Sequence, residues 1–120
     1  MKEFSSTTKS PPRGTYRLRL ASHEVHELGR YLSAIAARVR AMTDRPEGHP
    51  IEKLTVDLAG APAAPVAQLV LLGRLLRQAL GGGVLLELAG VTPMIYTSLV
   101  AFGVPRDVTV IDTRGRRWAA

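Results

Sequence analysis

The chain has 120 residues and 13.0 kDa, 46% of them hydrophobic and 22% charged, which suits one globular domain and lies far from compositions that stay disordered. Its net charge of +6 is uneven: residues 1–14 hold +2 (Lys2, Lys9 and Arg13 against Glu3), residues 113–120 hold +3 (Arg114, Arg116 and Arg117), and the body between holds +1. There is no cysteine, which excludes disulfides, thiolate metal sites and cysteine nucleophiles.

Residues 1–14 are Ser, Thr, Lys and Pro with one aromatic, Phe4, and offer no periodic face to bury; they read as a flexible, basic lead-in. Tyr16-Arg17-Leu18-Arg19-Leu20 alternates apolar and charged residues, the pattern of an edge strand with one wet face. Ser22 is a good N-cap, and Val25, Leu28, Leu32, Ile35, Val39 and Met42 follow at helical spacing, predicting one amphipathic helix. Glu24 and Glu27 near its start and Arg38 and Arg40 near its end complement the helix dipole. Thr43 to Pro50, with two prolines and a glycine, is a loop.

Leu54-Thr55-Val56-Asp57-Leu58 is short and nearly all apolar, which predicts an interior strand covered on both faces. After the turn Ala59 to Ala64, Pro65 opens a helix running to Leu80, because the first helical position needs no backbone donor. Val66, Leu69, Val70, Gly73, Leu76 and Leu80 supply its inner face, and Gly81 to Gly83 stop it. Val84 to Leu88 is the next strand, Ala89 to Val91 a turn, and Thr92-Pro93 the cap and start of a helix offering Met94, Ile95, Leu99 and Phe102 to the core. Val108 to Ile111 is the last strand, after which Asp112 to Gly115 release a basic tail. The order β-α-β-α-β-α-β predicts a single α/β domain over residues 15–112, with a mostly parallel sheet of four to five strands and three helices.

Few residues suggest chemistry. His23 and His26 share a helix face but lack a third metal ligand. Gly81 to Gly83 follow a helix and precede a strand, the reverse of a phosphate-binding glycine loop. The loops leaving the parallel strands, Ala59 to Ala64 and Ala89 to Thr92, occupy the usual ligand edge of an open sheet, yet Asp57 is the one acid beside them and has no base, nucleophile or metal partner. Its simplest role is to accept hydrogen bonds from the turn it precedes. Arg114 to Trp118 combine charge with an aromatic, but charge confined to the ends predicts only weak, salt-sensitive attraction to polyanions, so nucleic-acid binding is disfavoured. The Leu-rich region is interrupted by Gly73, Arg74, Arg77 and Gln78, too soon for a membrane span. A cytoplasmic protein is expected.

Val56-Asp57-Leu58, the Pro65 to Leu80 helix, Gly81 to Gly83, the strand Val84 to Leu88, Val91-Thr92-Pro93 and Phe102-Gly103-Val104 follow one another in an order and spacing that resembles the STAS domain family, the fold of anti-sigma factor antagonists and of the cytoplasmic part of sulphate transporters. The resemblance covers Leu54 to Asp112. Where the family carries an acid and a phosphorylatable Ser at the helix start, this chain has Pro65 and Val66, with Ala64 and Ala67 beside them, and Val cannot accept a phosphoryl group.

The resemblance implies a STAS-like, non-enzymatic regulator without a cofactor, of the anti-sigma factor antagonist type and not switched by phosphorylation at the usual place. It would bind a protein partner, such as an anti-sigma factor or kinase-like protein, through Asp57, Ala61, Pro62, Ala63, Pro65, Val66, Gln68 and Thr92. Two alternatives stay open: a scaffold or transport-complex subunit of STAS type, and an α/β domain that binds a small ligand or nucleotide. Self-association into a homodimer is also left open.

Overall fold

A computed structural model describes residues 14–44, 50–58, 65–103 and 108–119. The elements in chain order are β1 (Thr15–Arg19), α1 (Ser22–His26), α2 (Leu28–Thr43), β2 (Lys53–Asp57), α3 (Val66–Leu80), β3 (Leu85–Val91), α4 (Pro93–Phe102), β4 (Val108–Asp112) and β5 (Arg117–Ala119). They form one α/β domain with a five-stranded sheet in the order β1-β2-β3-β4-β5. The first four strands run parallel and β5 returns antiparallel to β4.

Spatial order equals chain order, so each crossover steps the same way across the sheet. Right-handed connections then stack all the helices on one face. Burial agrees with this, because strand side chains alternate between faces. Leu54, Val56, Leu86, Leu88, Val108 and Val110 pair in register across β2, β3 and β4 and join the core with Leu28, Ile35, Leu69, Leu72 and Leu76 from the helices. The intervening residues point to a face that no described helix covers.

The expected helix from Ser22 to Met42 is two helices. Glu27 departs from helical geometry at φ −116°, ψ 48°, giving four helices among the described residues rather than the expected three. The break exposes the first amides of α2, one of which, that of Gly29, donates to Gln68 Oε1 on α3 at 2.9 Å. A side chain at Gly29 would meet that amide: its Cβ would lie 2.7 Å from Gln68 Nε2. The cap of α1 falls at Ala21 rather than Ser22, and Glu24 accepts from the Ala21 backbone N–H at 2.8 Å. The stripe itself is as expected, with Val25, Leu28, Leu32, Ile35 and Val39 buried.

Two further boundaries moved. Ala89 to Val91 does not turn; β3 continues to Val91 through a register shift at Gly90, whose φ of 79° belongs to the left-handed region that glycine tolerates. The C-terminal segment is not a released tail. Arg117 to Ala119 form β5, and Trp118, opposite Val110, packs against the core. In α4, Ile95 and Leu99 are buried as expected, whereas Met94 and Phe102 are exposed. The predicted lead-in, apart from Gly14, and the tip of the Thr43 to Pro50 loop lie outside the described residues.

Candidate functional site

The carboxyl end of the sheet is where the sequence places a partner surface. Ala61, Pro62 and Ala63 lie outside the described residues. Pro65 is the N-cap of α3 in extended geometry and Val66 its first residue, both half-buried. Thr92 is engaged in folding, its Oγ1 accepting from the Ile95 backbone N–H at 3.2 Å, with Pro93 opening the helix. Gln68 is likewise held within the chain by Gly29. The helices α3 and α4 follow the neighbouring strands β2 and β3, and the most exposed large apolar side chain at their starts is Met94, at 80% exposure. The structure therefore keeps Pro65 and Val66 at this rim and adds Met94, which helical spacing alone assigns to the core.

Asp57 closes β2 at this same end of the sheet but faces away from the helices. It is buried on the uncovered face, where Arg17 Nε donates to its Oδ2 at 3.3 Å and Arg19 Nη2 at 3.2 Å. Both arginines come from the charged positions of the alternating strand β1, which pairs with β2 so that Arg17 lies opposite Thr55 and Arg19 opposite Asp57. The turn that Asp57 precedes lies outside the described residues.

A second buried acid sits one strand further in. Thr55 Oγ1 donates to Glu87 Oε1 at 2.9 Å, Arg117 Nη1 donates to Glu87 Oε2 at 3.1 Å, and Lys53 Nζ lies 3.5 Å from the same oxygen. Burial by itself raises the Glu87 carboxyl, but the Thr55 hydroxyl, Arg117 and Lys53 together outweigh it and hold the group below the usual Glu range. It is ionised at neutral pH. These groups border a depression of ≈ 420 Å³ that also touches Arg17 and Ile111.

Strand β5 is anchored by the same logic. Arg116 Nε donates to Asp112 Oδ2 at 2.6 Å, the Arg114 and Arg116 backbone amides donate to Oδ1, and the Arg116 guanidinium stacks 4.5 Å from the Tyr96 ring centre. Burial pushes Asp112 up, yet these donors leave it below its ordinary value. The Arg114 to Trp118 stretch is thus built into the fold, with Trp118 against the core rather than open to stack on a base.

Among the described residues no group of three His, Asp or Glu could hold a metal, and His23 packs edge-on against Tyr31 with ring centres 5.4 Å apart. No described helix is long and apolar enough to cross a membrane. Sequence reading missed the uncovered face as a unit. Its signal was the alternation of Arg17 and Arg19, of Lys53, Thr55 and Asp57, and of Glu87, which becomes one surface only when the strands are set in register. No protein-family model, curated protein or solved structure matches the chain.

Proposed function

We propose that this protein is a STAS-like interaction module, of the anti-sigma factor antagonist type, that docks a protein partner at the carboxyl rim of its sheet. The observation that supports this reading is apolar surface at the starts of the helices that follow two neighbouring strands, with Pro65 and Val66 half-buried at the start of α3 and Met94 exposed at the start of α4. An exposed methionine and half-buried aliphatic groups are surface that gains by being covered. With Val at the position of the family's phosphoacceptor, such docking is constitutive, gated by the partner's abundance or state rather than by a modification there.

Affinity capture with the whole protein, followed by calorimetry with the purified partner it identifies, tests the reading. Val66→Asp and Met94→Asp place a charge where the partner would desolvate it, and each should weaken binding by about tenfold or more. Both sites are at least partly exposed, so folding should survive, as circular dichroism will show. Equal binding by wild type and both variants rules out this rim.

A further inference from the structure

The uncovered face of the sheet is a second docking surface, and we propose that its occupant is an acidic polypeptide segment of a partner. Parallel sheets normally have both faces covered; here one face has the helices, and among the described residues the other is roofed only by its own side chains. Arg17, Arg19 and Arg117 reach over the buried Asp57 and Glu87 and remain 62%, 75% and 59% exposed. Each directs one nitrogen to a carboxylate, whereas a guanidinium carries five N–H donors in a rigid fork. All three side chains are more than half exposed, which leaves their guanidinium groups open to further contacts from solvent. With Lys53, four cations among the described residues stand over two carboxylates, so these groups leave a surplus of two positive charges for a ligand to neutralise.

The character of that ligand follows from what else the face carries. Leu85 is 63% exposed and Ile111 half-buried, and both project on this side by strand alternation, so carboxylates interspersed with apolar side chains suit it best. Forked Arg donors match carboxylates bidentately, and Arg is enriched at protein interfaces. Tyr16 borders the depression but packs against the core from the other side of β1, so among the described residues no aromatic ring projects from this face for bases to stack on. A second copy is a poor occupant, because it carries the same net charge of +6 and five of its seven described acids, Glu24, Glu27, Asp57, Glu87 and Asp112, are already paired with arginines of their own chain. The chain's own lead-in also fails on charge, at +2 over residues 1–14. The proposal is independent of the rim; together the two surfaces would let one small domain bridge two partners.

The probe is a fluorescein-labelled peptide of alternating Glu and Leu, titrated against the whole protein by anisotropy, with a single-stranded oligonucleotide of equal charge as the second arm. Binding should weaken between low salt and about 0.15 M salt, where screening acts within ~8 Å, and should fall by about tenfold or more in Arg17→Gln/Arg117→Gln. It should be unchanged in Arg40→Gln/Arg74→Gln, which removes equal charge from the exposed side of the helices. Should the first variant not fold, amide shifts in the wild type decide: adding peptide should move Arg17, Thr55, Glu87 and Ile111 and leave α4 still. Absence of binding, equal loss in both double variants, shifts gathered at Val66 and Met94, or tighter binding of the oligonucleotide would each overturn the proposal.

Discussion

The two faces of one sheet both bury side chains at their centres, by different means. On the helix side Leu54, Val56, Leu88 and Val110 are at 0% exposure beneath helical leucines and valines. On the other side Thr55, Asp57 and Glu87 are at 3–6%, though their cover is arginine and lysine side chains whose stems lie over the sheet while their heads stay wet. The first kind of burial rests on apolar area and packing. The second rests on hydrogen-bonded charge, which is sensitive to pH and salt and replaceable by a partner's groups. Burial alone therefore does not mark a core; what covers a residue decides whether it is scaffold or surface.

That contrast can be broken by substitution, and the largest effect should come from the helix side. Leu88→Ala removes a fully buried side chain at the centre of the sheet and should cost about 2–5 kcal/mol in urea unfolding, with little dependence on salt. A loss below 1 kcal/mol would mean that the helices pack loosely on the sheet.

Thr55→Val keeps the shape and withdraws one donor from the buried Glu87, at an expected cost of about 1–3 kcal/mol. Its pH dependence sharpens the comparison. Because the folded-state value of Glu87 is lowered, its contribution is fully present above the unfolded value of about 4.3 and is lost as pH falls through the folded value. The variant moves that folded value upward, so its cost should be larger at neutral pH than in acid. A cost that grows on acidification would contradict an ionised Glu87.

The smallest effect belongs to the outermost layer. Arg19 is 75% exposed and Asp57 keeps Arg17, so Arg19→Ala should change thermal stability by no more than about 1 kcal/mol. If it cost as much as Leu88→Ala, the arginine layer would be a structural cover equal to the helices and not a surface awaiting a partner.

The elements themselves were legible because each depends on local spacing. The heptad-like stripe of Val25 to Val39, the Thr92-Pro93 cap and the glycine stop at Gly81 identify themselves within a few residues, and three successive β-α units closed by a fourth strand point to a parallel sheet. Three features were illegible because they depend on distant partners. Glu27 breaks the first helix at a point where Gln68, thirty-nine residues on from Gly29, caps the amide so released. The basic end is a strand because Asp112 and Glu87 offer it counter-charges. Gly90 reads as a turn until the register with β4 shows a bulge.

What the amino-acid sequence determined by itself was the succession of strands and helices, the stripe each helix buries, and the greasy, unphosphorylatable start of α3. Only the tertiary structure decided that arginines from the first and last strands converge with a lysine on two buried carboxylates, since residues as far apart as Arg17 and Arg117 become neighbours of one face only through strand pairing. Local periodicity records which side chains turn the same way along a strand; it holds no record of which strands lie beside one another, and the charge pattern of this face is set there.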